Sequence, residues 1–170
     1  MKIFLTLSLL FVTQLTIGQE TTTYYLIRHA EKEKNAVADR NPHLNEKGKQ
    51  RALFWKDMLA KIPLDAVYST SYFRTKETAQ PVAQDHNLPI LTYNPRELFS
   101  AEFQEKTKGK IILIVGHSNT TPQLANLILQ EKKYTQIDEN TFGNLYILQN
   151  NGNGFSAQLL QIENIVPCKQ

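Results

Sequence analysis

Cysteine is almost missing from this chain: one residue, Cys168, stands near the C-terminus of 170 residues. No intramolecular disulfide can form, so stability must come from a packed core, which a chain of this length readily builds. Glycine and proline number only seven each, and neither clusters into a linker, a repeat or a low-complexity block. The chain therefore reads as one domain. Excess charge is also scarce. Nineteen basic against sixteen acidic side chains give a formal charge of +3, with no basic stripe carrying interleaved aromatics, which argues against a nucleic-acid partner. Long apolar runs are missing too. The longest, Ile3–Val12, is too short to span a bilayer.

That run has a different meaning. It follows Met1-Lys2 and precedes the small or neutral Thr16-Ile17-Gly18 and the polar Gln19-Glu20, which is the order of a secretory signal peptide. Cleavage after Gly18 is expected to leave 152 residues, 19–170, as a single exported domain, periplasmic or secreted, with no membrane span. Loss of Lys2 leaves 18 basic against 16 acidic side chains, a formal charge of +2.

The chemistry centres on Tyr24-Tyr25-Leu26-Ile27-Arg28-His29, a β-branched, aromatic and aliphatic run that reads as a buried strand ending in two functional side chains. Downstream, Asn45 caps an expected helix from Glu46 to about Lys61, with Ala52, Trp55, Leu59 and Ile62 facing the core. Gly48 weakens that first turn and implies a close backbone approach. Leu64–Tyr68 reads as a strand, and a hydroxyl-rich turn leads to a helix from about Phe73 to His86 with Arg74 in its first turn. A cation there opposes the helix macrodipole and points to a nearby anion. Leu88–Tyr93 is an expected edge strand because of Pro89. A polar amphipathic segment, Arg96–Lys108, follows. Ile111–Val115 is apolar on both faces and belongs at the sheet centre. It leads into Gly116-His117-Ser118-Asn119, and Thr121 as cap with Pro122 opens a helix to about Gln130. A hairpin through Asn151-Gly152-Asn153-Gly154 closes the chain. The alternation predicts an α/β fold, a three-layer αβα sandwich around a mainly parallel sheet.

Arg28, His29, Arg74 and His117 all fall at strand ends or the following helix start, along one edge of such a sheet. Phosphoryl transfer uses such a set: cations around an anionic transferring group, and a neutral imidazole as nucleophile. The other nitrogen of His29 then needs an acceptor, such as a backbone carbonyl, to fix its tautomer. A metal site built from His29, His43, His86 and His117 is the rival reading, but no spacing of these residues supports it.

Four blocks, Leu26–Glu31, Leu44–Gly48, Tyr68–Ala79 and Val115–Asn119, resemble the histidine phosphatase superfamily in order and spacing. The resemblance implies a phosphoglycerate-mutase-like fold of branch 1 and a phosphatase without metal or other cofactor. It implies that His29 is phosphorylated and that Arg28, Arg74 and His117 bind the phosphoryl group, with Asn119 as a further phosphate contact. Mutase-like members place a glutamate after the third strand as general acid. Here Glu97 is the expected residue, with Glu102 the alternative. Small phosphohistidine phosphatases of the superfamily lack that acid. The expected substrate is a phosphorylated small molecule or phosphoprotein. A non-catalytic module binding a phosphorylated ligand is the competing function. The short mature chain favours phosphatase over mutase.

Overall fold

The structure, a computed structural model, describes residues 21–34, 39–150, 152 and 154–162. The expected signal peptide and Cys168 lie outside them. The elements alternate β1 (Thr23–Arg28), α1 (Glu46–Leu59), β2 (Ala66–Ser69), α2 (Phe73–Asp85), β3 (Ile90–Thr92), α3 (Ala101–Thr107), β4 (Ile111–Gly116) and α4 (Thr120–Leu129). The hairpin strands β5 (Asn144–Asn150) and β6 (Phe155–Gln161) complete the order.

They form one six-stranded sheet in the order β3-β2-β4-β1-β5-β6. The β3-β2, β2-β4 and β4-β1 pairs are parallel, while β5 joins β1 and β6 joins β5 antiparallel. The apolar β4 is central and the proline-preceded β3 is an edge, as the sequence predicts. Side chains alternate between faces along each strand. Tyr24, Leu26, Ile112, Ile114, Tyr146 and Leu148 pack with Leu124, Ala125 and Ile128 of α4, and Phe103 of α3 joins them. Ile27, Val67, Leu113 and Val115 pack on the opposite face against Trp55 and Leu59 of α1 and Ala79 and Val82 of α2. Helices thus cover both faces of a mixed α/β sheet.

Local chemistry fixes the helix ends. The Asn45 side chain accepts from the Gly48 amide at 2.9 Å, the expected N-cap. A Cβ on Gly48 would sit inside contact distance of the Glu31 backbone, 2.9 Å from its carbonyl carbon and 3.1 Å from its nitrogen. Glycine therefore lets α1 press against the segment after His29. The segment Arg96–Lys108 is helical only over its last half, in the short α3, where Ser100 caps the Phe103 amide at 3.2 Å. Thr121 is not the cap of α4. The helix begins at Thr120, two residues before the expected Pro122, behind Asn119, and the Thr121 hydroxyl donates to the Ile27 carbonyl at 3.3 Å. That bond ties α4 to β1 beside the site.

Candidate active site

Chain direction creates the cleft. From β1 the chain leaves toward α1 on one face; from its neighbour β4 it leaves toward α4 on the other. The crevice between diverging strand ends is where α/β sheets bind ligands. His29 lies just past β1, with its amide donating to the Gly116 carbonyl at 2.9 Å, and His117 lies just past β4. Their rings are 5.5 Å apart, centroid to centroid. Arg28, Arg74, His29, His117 and Asn119 all line one cleft of about 420 Å³. Five expected residues therefore share one site.

His29 is buried, and its Nδ1 stands 2.8 Å from the Ala30 carbonyl. A carbonyl only accepts, so Nδ1 carries the hydrogen and Nε2 keeps a free lone pair. Burial, opposed by that hydrogen bond and reinforced by Arg28, Arg74 and His117, lowers the His29 pKa to about 3. The ring is accordingly neutral, as a nucleophile must be, throughout the ordinary pH range.

The loop holding His29 is fixed from two sides. Ala30 donates its amide to the Thr78 hydroxyl of α2 at 2.9 Å, and that hydroxyl donates to the Arg74 carbonyl at 2.6 Å. Glu31 accepts two 2.8 Å bonds from Arg51 of α1, both side chains being buried. Burial raises the Glu31 pKa, but the Arg51 hydrogen bonds outweigh it and hold the carboxyl below its ordinary value. Such bidentate pairs set geometry as well as charge.

His117 is oriented by a hydroxyl chain that the sequence did not reveal. The buried Thr75 hydroxyl lies 3.1 Å from the Thr70 carbonyl and 2.9 Å from the Tyr72 carbonyl, and both can only accept. Its single hydrogen is committed there. The 2.8 Å contact between Thr70 and Thr75 hydroxyls is then donated by Thr70. Thr70 in turn must accept from His117 Nε2 at 3.0 Å. His117 carries its hydrogen on Nε2, and Nδ1 is the nitrogen left for a ligand. Burial, then Arg74 and Arg28, lower the His117 pKa to about 4, so the ring is neutral near pH 7 without a bound anion.

The two arginines are unequal. Arg28 is 2% exposed; its Nη1 donates to the carbonyls of Asp138, Glu139 and Thr141 at 2.8, 3.2 and 2.9 Å. Its Nη2 meets the Glu139 carboxylate at 2.9 Å, and Phe142 covers it at 4.3 Å. Arg74 stacks on Tyr72 at 4.3 Å. Among the described residues, Arg28 Nε and Arg74 Nε and Nη1 are buried without an acceptor. Unpaired buried guanidinium donors are costly and fit an anion.

The expected acids are elsewhere. Glu97 is exposed and does not line the cleft, whereas its neighbours Pro95 and Arg96 do. An Asn94–Glu97 turn, with the Glu97 amide on the Asn94 carbonyl at 3.1 Å, sets that register. Glu102 lies on α3 and pairs with Lys106 at 2.6 Å, both exposed. The carboxylate that lines the cleft is Glu139, which sequence reasoning missed. Ser118, which donates to Glu139 at 3.0 Å, and Lys32 line it as well. His43 pairs with Glu77 and stacks on Phe73, and His86 ends α2, so neither joins the cleft.

Residues 24–95 match the family model described as Histidine phosphatase superfamily (branch 1). Phosphoserine phosphatase 1 of Hydrogenobacter thermophilus is 37% identical over 70 residues, 39% of this chain; the chain spans about a third (33%) of that relative's length. The solved protein histidine phosphatase SixA complexed with tungstate superposes with a TM-score of 0.66 at 15% identity, covering 82% of this chain and 96% of that one. Phosphoglycerate mutase from Bacillus anthracis str. Sterne gives 0.65 at 15% identity, covering 84% and 93%. Residues 24–95 are thus similar to the histidine phosphatase superfamily (branch 1), and the sheet with its helices has the architecture of the phosphoglycerate-mutase-like neighbours.

Proposed function

We propose that this protein is a metal-independent phosphatase that hydrolyses phosphomonoesters through a phosphohistidine on His29, with Arg28, Arg74 and His117 holding the transferring phosphoryl group. One observation carries the reading: buried guanidinium donors of Arg28 and Arg74 lack acceptors beside a neutral imidazole whose tautomer leaves Nε2 free. A phosphoryl group supplies the missing acceptors, and the cations neutralise charge on its equatorial oxygens.

In the reaction, His29 Nε2 attacks phosphorus and the ester oxygen leaves with the bonding pair. Positive charge spreads over the His29 ring, and the Ala30 carbonyl receives it at Nδ1. An approaching dianion raises the His117 pKa, and the ring then donates from Nδ1 to a phosphoryl oxygen. Asn119 lines the same cleft and is the further phosphate contact. Water then attacks phosphorus, breaks the P–Nε2 bond and releases inorganic phosphate.

With Glu97 and Glu102 outside the cleft, neither protonates the leaving group, so an aryl phosphate, whose leaving group departs without a proton, is the substrate of choice for the test. The relatives named for phosphohistidine and phosphoserine chemistry bracket the substrate class: a phosphorylated small molecule or a phosphoprotein. The test is hydrolysis of p-nitrophenyl phosphate with chelator present, by the wild type and by His29→Ala. Turnover that survives chelation and disappears in His29→Ala is expected. A stable His29→Ala protein with wild-type turnover would rule the reading out. Binding of phosphate without turnover would leave a phospho-ligand-binding module.

A further inference from the structure

The cleft contains a built carboxylate where an anion site would be expected to avoid one. Among the described residues four cationic side chains line it (Arg28, Lys32, Arg74 and Arg96), and Glu139 is the one acidic side chain. Glu139 is not a stray surface residue. Its own carbonyl and those of Asp138 and Thr141 are bound by Arg28 Nη1, its Oε2 by Arg28 Nη2, and its Oε1 by the Ser118 hydroxyl. The side chain is nevertheless 68% exposed, so its oxygens are open to a ligand.

A phosphoryl group that reaches Arg28 comes within a few ångströms of this carboxylate. Like charges held that close repel, the more so where solvent is partly excluded. A positive group on the ligand offsets that repulsion by meeting the exposed side of the carboxylate. We infer that Glu139 is a specificity-determining residue that selects phosphorylated compounds carrying an ammonium group close to the phosphoester oxygen, the class of phosphorylated amino alcohols and amino acids. The inference rests on the proposed phosphoryl site. The sheet order puts the Glu139 loop on the β5 side of the cleft and Arg96 beyond β3 on the other. An amine is therefore read on one rim and kept apart from the cationic rim opposite.

Three ligands of similar size separate charge from shape: 2-aminoethyl phosphate, 2-hydroxyethyl phosphate and phosphoglycolate. Their dissociation constants, with that of inorganic phosphate, are measured calorimetrically on His29→Asn, which prevents turnover, and on His29→Asn/Glu139→Gln. Melting temperatures verify both folds. The amine is expected to bind His29→Asn about fivefold tighter than its hydroxyl analogue, and about equally in the double variant. Inorganic phosphate is expected to bind the double variant several-fold tighter, an effect that a merely structural role would not give. An unchanged amine-to-hydroxyl ratio, uniform weakening of all four ligands, or tightest binding of phosphoglycolate in both proteins would overturn the inference. The catalytic reading is judged separately by p-nitrophenyl phosphate turnover in the wild type. Charge discrimination without turnover would remove the enzyme and leave the selectivity intact.

Discussion

Replacing Thr70 by valine removes one hydroxyl from a fully buried position and leaves the side-chain shape almost unchanged. In the wild type that hydroxyl accepts from His117 Nε2 at 3.0 Å and donates to Thr75 at 2.8 Å. Valine leaves the ring N–H without its acceptor and the Thr75 oxygen without its donor. An unsatisfied buried polar group costs about 1–3 kcal/mol. For a domain of this size each kcal/mol lowers the melting temperature by roughly 2–4 °C, so a fall of about 2–12 °C is expected. The same energy no longer holds the Nε2–H tautomer. If the loss falls on the transition state, kcat drops by about five- to 150-fold, with KM less affected. The assay combines thermal melting, kcat and KM on p-nitrophenyl phosphate, and ¹⁵N chemical shifts of the His117 ring. Thr70→Ser, which restores the hydroxyl, should recover tautomer and rate. A Thr70→Val enzyme with wild-type kcat and an Nε2-protonated His117 would refute the hydroxyl-chain reasoning.

Further outcomes follow from the same geometry. Gly48→Ala improves helix propensity by about 1 kcal/mol but drives a methyl group into the Glu31 backbone, an overpacking cost of typically 1–3 kcal/mol or more; melting should fall, and an unchanged or raised value contradicts the contact. Glu97→Gln should change aryl and alkyl phosphate hydrolysis by less than about twofold each, since exposed surface changes are usually worth within 0.5 kcal/mol; a selective loss on the alkyl ester would return Glu97 to the acid role. His117, with its pKa at about 4, is neutral in the free protein at pH 7, and a bound dianion raises that value. Sulfate, which has no titrating proton near neutrality, should therefore bind with uptake of up to one proton, measured by calorimetry in buffers of different ionisation enthalpy. Binding without uptake in the wild type would exclude His117 as the group that protonates.

Much of the site is legible in the sequence because its parts sit where strands end. Arg28-His29 and His117 follow apolar runs whose length and β-branching mark β1 and β4, and parallel pairing brings those ends together. Gly48 is readable because glycine in a first helical turn has a local cost, and the Glu31 backbone beside it supplies the reason. Arg74 is readable by its electrostatic misfit at the start of α2. Glu139 was beyond reach for a physical reason: it lies 111 residues from Arg28, in a segment without helix or strand periodicity. Only the pairing of β5 beside β1 carries that segment over the cleft. The Thr75-Thr70-His117 chain was hidden likewise, since hydroxyls near a helix start read equally well as caps. At Glu97 the sequence pointed to a loop beside the cleft but not to its side-chain directions. The turn at Asn94 aims Arg96 into the cleft, and the left-handed Phe99 (φ 57°) turns the chain toward α3. The Thr121 cap was misplaced by two residues because its hydroxyl serves Ile27 in β1 rather than its own helix.

The central claim is that a phosphoryl group passes through His29 Nε2. The most direct measurement is rapid quenching of the wild-type protein with ³²P-labelled substrate, followed by peptide mapping. The account predicts an acid-labile, base-stable phosphate on the peptide containing His29, formed at a rate no slower than turnover and missing from His29→Asn. Label on another residue, or turnover with no labelled protein and unaffected by His29→Asn, would contradict it.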